Sequence, residues 1–319
     1  MYTRREFGAL SAMALGGLAL PRRLAAQIDS TVGGVKIGVQ TYSFRALPRS
    51  VAIVEHDRTA VWPPGEDQSE AIIQAMTRCR IGDCELWSPM LEPVSGVGRD
   101  ASPDARRQAR DELRRWRVET PLSHFEAIRD RFTAAGLTIY GFNYSFNDSF
   151  SDDEIDRGFE MARALGAEII TASSTLSAMK RVVPFAARHQ MVVAVHNHSN
   201  ISDPNEFARP ESFAAAMALS PYVKVNLDIG HFTAANYDPV AYLREHHASI
   251  SNLHLKDRRR DQGANVPWGT GDTPIREVLQ LLQRERWPIR AHVEYEYRGS
   301  GSPVDEVIRC YNYVKQALV

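Results

Sequence analysis

From residue 35 onward, short apolar runs alternate with longer stretches in which apolar positions recur every three to four residues. The short runs are 35–41 (VKIGVQT), 83–87, 137–142 (LTIYGF), 168–172 (EIITA), 191–196 (MVVAVH), 222–228 (YVKVNLD), 250–256 (ISNLHLK) and 290–295 (RAHVEY). Their length and branched content read as β-strands. The longer stretches predict helices at roughly 68–80, 121–135, 152–165, 175–189, 204–219, 238–247, 274–285 and 303–317. Local signals agree with these bounds. Ser151-Asp152-Asp153-Glu154 opens a helix with a cap and acidic first turn, Gly166 closes it, and Gly136 closes the helix before it. Asp272-Thr273-Pro274 reads as a capping residue ahead of a first-turn proline.

Several strands are apolar on both faces, as buried parallel strands must be. Eight β–α pairs close most simply into a single (β/α)8 TIM barrel of the α/β class. An open doubly wound sheet is the competitor, but no G-x-G-x-x-G turn follows the first strand. Two connections are long: 43–67, with Pro48, Trp62, Pro63 and Pro64, and 88–120, with a run of Arg, Asp and Glu over 104–119. That run reads as a solvated helical face or a binding patch. Both insertions leave strand C-terminal ends, where barrels build their substrate mouths. No repeat or linker divides residues 27–319, so one domain is expected.

Residues 1–26 read differently. Thr3-Arg4-Arg5-Glu6-Phe7 is a twin-arginine signature, residues 8–20 are small and apolar, and Leu24-Ala25-Ala26 offers a cleavage site. An amphipathic helix or an uncleaved anchor are the other readings, and the run is short for a membrane span. Export to the periplasm with no stable span after processing is the expectation. The remaining chain carries 34 basic and 38 acidic residues, a net charge of −4. An acidic balance disfavours nucleic acid and anionic membranes as partners. Cys79, Cys84 and Cys310 make an odd count, read as buried free thiols, with a Cys79–Cys84 bridge as the alternative.

Candidate chemistry lies at the ends of the last four strands. Strand five ends in His196-Asn197-His198, strand six in Asp228 with His231 beyond, strand seven in His254 with Lys256-Asp257, and strand eight in Glu294 with Glu296. In a barrel these share one rim with neighbouring strands about 5 Å apart. Each residue alone has an ordinary reading: a hydrogen-bonded structural histidine, a capping aspartate, an ion-paired glutamate. Four consecutive strands each ending in a ligand-type side chain point instead to one divalent ion held by His196, Asp228, His254 and Glu294. Glu296 shares the side-chain direction of Glu294, but only Glu294 ends the apolar run. Catalytic candidates are Glu294, His196, His231 and Lys256. His198, Asn197, Glu85 and Asn143 are candidates for substrate contact. Trp62, Trp87 and Trp268 are candidates to stack on the apolar face of a ligand, with core packing the other reading of Trp87.

The segments KIGVQTYSFR (36–45), CELWSP (84–89), GAEIITASST (166–175), LDIGH (227–231), NLHLKD (252–257), VPWGTGDTPI (266–275) and HVEYE (292–296), in this order, resemble the xylose-isomerase-like sugar isomerase/epimerase superfamily. The resemblance implies one divalent ion, often manganese, with zinc, cobalt, iron or magnesium as alternatives, bound by Glu, Asp, His and Glu from strands five to eight. Asp228, His254 and Glu294 match that set. His231 matches a histidine that touches substrate hydroxyls, and Lys256 a residue near the same oxygens. Strand five departs, reading His196-Asn197-His198 where Glu-Asn-His is usual. In the epimerases that glutamate is one of two acid/base groups.

The expected function is therefore a divalent-metal-dependent isomerase or epimerase of a sugar or keto-sugar, removing a proton beside a carbonyl through an enediolate. His196, His198 or Glu294 is the candidate base. The loss of the strand-five glutamate opens a second reading, a lyase or dehydratase eliminating from a 3-keto-glycoside or cyclic polyol ketone. A non-catalytic sugar-binding barrel is a third, marked by lack of metal affinity. DNA repair is set aside, since a basic groove and a three-zinc ligand set are both missing. The partner is a small sugar or glycoside, with homo-oligomerisation left open.

Overall fold

Each apolar run forms a strand in the structure, a computed structural model that describes residues 25–47, 53–55, 58–60, 67–94, 97–98 and 100–319. The twin-arginine segment up to residue 24 and Trp62 lie outside the described residues. The strands are β1 Val35–Gln40, β2 Asp83–Trp87, β3 Thr138–Asn143, β4 Ile169–Ala172, β5 Val192–His196, β6 Val223–Asp228, β7 Ile250–Leu255 and β8 Arg290–Val293. These eight pair in parallel, with a short antiparallel strand, Thr31–Val32, beside β1, and Val39↔Cys84 with Gln40↔Glu85 join β1 to β2 and close the barrel.

The helices are α1 Ser69–Cys79, α2 Pro103–Glu119, α3 Leu122–Ala134, α4 Asp152–Ala164, α5 Leu176–His189, α6 Pro210–Met217, α7 Ile229–Ala234, α8 Pro239–His246, α9 Ile275–Glu285 and α10 Pro303–Ala317; eight fall in the stretches the 3.6-residue period marks, while α2 and α7 lie in stretches read as connections. Ser151 accepts from the Glu154 amide while Glu154 accepts from that of Ser151, a capping box that fixes the start of α4. Two expected starts are corrected. The helix expected from 204 begins at Pro210, because a proline has no amide to continue a helix and suits its first turn. Neither Asp272 nor Thr273 caps α9: Asp272 accepts from the Arg260 amide at 2.9 Å and Thr273 from that of Arg258 at 3.0 Å. The charged run over 104–119 forms α2, which has no fully buried residue and is tied down by Arg114 and Arg117 to Glu154.

The outward positions of the strands, such as Ile37, Val39, Leu227 and Leu253, pack against the helices in one continuous apolar core. The inward positions depart from the expectation of strands apolar on both faces. Gln40, Glu85, Asn143, Thr171, Asn226, Asn252, His254 and His292 are buried polar groups joined through the barrel axis. The register slips between Ile250 and Asn252. Gly38 makes room for this network, since a β-carbon there would stand 2.4 Å from the His292 ring. Cys79, Cys84 and Cys310 are buried free thiols. Among the described residues no helix is long and apolar enough to cross a membrane.

Candidate metal centre

His196 and Asp228 end β5 and β6, His254 is the penultimate residue of β7, and Glu294 follows β8 directly. In the pairing register His254 sits beside both Asp228 and His292. These neighbours bring one ligand atom from each of His196, Asp228, His254 and Glu294 within 4.8 Å of one another, all buried. Nε2 of His196 is 3.4 Å from Oδ2 of Asp228, while its Nδ1 is 3.2 Å from the Ser173 hydroxyl. Nδ1 of His254 is 3.0 Å from Oε2 of Glu294, yet the two are not aligned as a hydrogen bond, and both are buried without a hydrogen-bond partner. Orphaned buried donors and acceptors are rare and need a cause. Here both face the space shared by the four side chains.

The Lys256 ammonium enters the same space, 3.0 Å from Oδ2 of Asp228, 2.8 Å from Oε2 of Glu294 and 2.6 Å from Oε2 of Glu296. Burial opposes charge on Asp228, Glu294 and Lys256. The mutual attraction outweighs it, holding Asp228 and Glu294 well below the usual carboxylate range and Lys256 well above its own. Three carboxylates against one ammonium leave two negative charges. Two imidazoles, two carboxylates and that residual charge fit one divalent transition ion.

Glu85 explains how His254 is aimed. It was expected to contact substrate, but it is fully buried beneath the site and is corrected to a supporting role. Its Oε1 accepts from Gln40 at 2.6 Å, Asn143 at 3.0 Å and Thr171 at 2.6 Å. Its Oε2 takes Asn252 at 3.0 Å, Nε2 of His254 at 2.8 Å and Nδ1 of His292 at 3.3 Å. With Nε2–H of His254 donated to Glu85, its Nδ1 is the nitrogen left for a ligand, as in carboxylate–histidine–metal arrangements. Burial opposes charge on His254, but Glu85 and Glu294 outweigh it and raise its pKa well above the usual imidazole range. Metal binding must therefore displace a proton from Nδ1 at pH 7. We expect release of about one proton on titration with manganese or zinc, and an affinity rising about tenfold per pH unit until the ring's own pKa is passed. Titration heats that do not vary with buffer ionisation would show that Nδ1 is not displaced.

Above the four ligands lies an open cleft of about 260 Å3. His196, His198, His231, His254, Lys256, Glu294, Glu296 and Asn143 line it, together with Gln40, Tyr42, Trp87, Ser145 and Ser173. Tyr42 and Trp87 meet edge to face with ring centres 4.8 Å apart, forming an aromatic wall. His198 is exposed to solvent on one side, yet the protein around it and the neighbouring His196 and Lys256 lower its pKa to about 4.

Two other expected contacts are corrected. Asn197 is fully buried and bridges to the Asp228 backbone at both its amide and carbonyl. Trp268 lines a separate surface hollow beside α10, edge-on to Tyr313. Tyr42, Ser145 and Ser173 were not anticipated. Their one signal is a position within three residues of a strand end.

None of the curated proteins matches this sequence. Solved structures share the fold. A sugar phosphate isomerase/epimerase from Parabacteroides distasonis aligns with TM-score 0.57 and 14% identity over 93% of this chain and 99% of its own. The probable 3-DHS dehydratase AsbF of Bacillus anthracis gives 0.58 and 14% over 88% and 99%. An IolI protein with a bound zinc atom gives 0.59 and 12% over 89% and 98%. The model of the xylose isomerase-like TIM barrel family matches residues 100–313. With that match over most of its length, the chain belongs to the xylose isomerase-like TIM barrel family.

Proposed function

We propose that the protein is a divalent-metal-dependent isomerase or epimerase that removes a proton beside the carbonyl of a sugar or keto-sugar. The carrying observation is the convergence of His196, Asp228, His254 and Glu294, with two orphaned polar atoms among them, at the floor of an open cleft. Two imidazoles with two carboxylates suit manganese, iron, cobalt or zinc better than magnesium, which favours oxygen alone. Manganese is the ion we propose. When bound, such an ion supplies Lewis-acid polarisation of a carbonyl.

The chain's own residues supply the rest. Glu294 lines the floor of the cleft, and its carboxylate is the group placed to take the proton. Lys256 keeps that carboxylate ionised, which makes it a weak base suited to an acidified C–H. Lys256 and His231 stand together where charge would develop on a substrate oxygen. Tyr42 and Trp87 offer ring faces and edges to the sugar's apolar side.

One observation favours a second reading, β-elimination from a 3-keto-glycoside or related ketone. Facing Glu294 across the cleft stand imidazoles, His196 and His198, so a proton removed on one face meets no carboxylate on the other to return it. Incubation of metal-loaded protein with a 3-keto-glycoside in heavy water separates the two. Deuterium uptake without release supports the isomerase, and aglycone release supports the lyase. Neither event, with no affinity for manganese or zinc, would leave only a sugar-binding barrel.

Periplasmic export is part of the same proposal and points to free sugars or glycosides rather than phosphorylated ones. Replacing Arg4 and Arg5 together by lysine is expected to retain the protein in the cytoplasm on cell fractionation.

A further inference from the structure

Arg258, three residues beyond β7, is a buried cation that makes no ion pair with a carboxylate among the described residues. Its guanidinium is engaged elsewhere. Nε and Nη2 donate to the Gly263 carbonyl at 3.0 and 2.6 Å, and Nη1 donates to the Ser199 hydroxyl at 3.0 Å. Nη1 also stands 2.6 Å from Nδ1 of His231. On the opposite edge of that ring, Nε2 lies 3.2 Å from the Lys256 ammonium.

Both nitrogens of one imidazole thus face cationic donors. A ring between two cations stays neutral, and a neutral imidazole has a single lone pair. Only one cation can donate to it. A guanidinium has no acceptor and remains charged, and this one is pinned by Gly263 and Ser199. Lys256 has another outlet, since it donates to Oε2 of Glu296 at 2.6 Å and is ion-paired with Asp228 and Glu294. The lone pair therefore belongs to Nδ1 and the proton to Nε2.

We propose that Arg258 is a positioning residue that locks His231 as the Nε2–H tautomer, so that the ring presents a hydrogen-bond donor beside Lys256. Two donors 3.2 Å apart are at rest only when they share an acceptor. The pair therefore selects one electron-rich substrate oxygen, an alkoxide, a carbonyl or a departing hydroxyl or glycosidic oxygen. The identity of that acceptor rests on the cleft being the substrate site, as proposed above, whereas the tautomer does not.

The test is a two-bond proton–nitrogen correlation spectrum of the full-length protein labelled with 15N-histidine, with His231 assigned by its loss in His231→Gln. The wild type is expected to show the neutral Nε2–H pattern. In Arg258→Met the ring should move to Nδ1–H or to an average of both tautomers, while manganese affinity stays within about threefold of wild type. Once a turned-over substrate is known, Arg258→Met should lower kcat about 10²-fold with little change in KM. A wild-type ring in the Nδ1–H or doubly protonated form overturns the proposal, and so does an unchanged His231 pattern in Arg258→Met. If Arg258→Met does not fold, the wild-type spectrum alone decides. Absence of metal binding and of deuterium uptake would overturn the reading of the cleft while leaving the tautomer assignment standing.

Discussion

Glu294→Gln is expected to lower turnover by at least about 10³-fold, within the range lost when a positioned base is removed. Metal affinity should fall by more than the roughly 10–100-fold typical of a supporting residue, because a ligand charge itself is lost. The substitution preserves shape, and Lys256 keeps Asp228 at 3.0 Å and Glu296 at 2.6 Å, so the fold survives. What changes is charge: the cluster drops from two negative charges to one, and the oxygen that faces the shared space loses its anion. Calorimetric titration with manganese reads the first effect, and deuterium exchange or product release reads the second. Full activity in this variant would remove Glu294 from the assignment.

The barrel was legible because its signals are local. Period-two and period-3.6 patterns, glycines at Gly136 and Gly166 with positive φ, and the Ser151 capping box each act over a few residues. The strand-end donors were legible for a different reason. An ionisable side chain at the end of an apolar run must find a partner, and a barrel rim makes four such ends neighbours.

What was not legible depends on register across the barrel. Nothing in DCELW distinguishes a carboxylate facing substrate from one buried on the axis. The pairing Gln40↔Glu85 and the slip between Ile250 and Asn252 decide it. The same applies to Gln40, Asn226 and Asn252, polar residues inside apolar runs whose common partner is Glu85. Their presence was itself a signal, since a buried amide without a partner is costly. Trp268 shows the opposite failure, an aromatic in a family-like segment that the loop carries away to α10.

Glu85→Gln is expected to have the largest effect on stability, although Glu85 touches neither solvent nor the cleft. Each carboxylate oxygen has three close partners, and the Asn226 amide adds a longer contact to both. An amide nitrogen on either side would confront donors with donors, and the charge that balances His254 and His292 would be gone. Breaking one side of a buried, hydrogen-bonded pair costs about 3–5 kcal/mol. Burial opposes ionisation of Glu85, but His254 and His292 outweigh it and hold its pKa far below the carboxylate range. Burial likewise opposes charge on His292, and its bonds to Asp83 and Glu85 outweigh that and raise it. The signs then fix a pH window for the metal-free protein. A depressed carboxylate stabilises above its unfolded pKa of about 4.3, and raised imidazoles stabilise fully below about 6.5. The gap between wild type and Glu85→Gln in denaturant unfolding should be widest between those limits. It should narrow as pH rises through the imidazoles' folded pKa values or falls through that of Glu85. The variant also has a consequence at the centre. A glutamine amide turned toward His254 would donate to Nε2 and leave the ring's single proton on Nδ1, so that metal could no longer displace it while Nε2–H stayed on Glu85, weakening manganese binding by about 10–100-fold. A Glu85→Gln protein within about 1 kcal/mol of wild type and equal to it in manganese affinity would show that His254 is aimed by something other than the axial carboxylate.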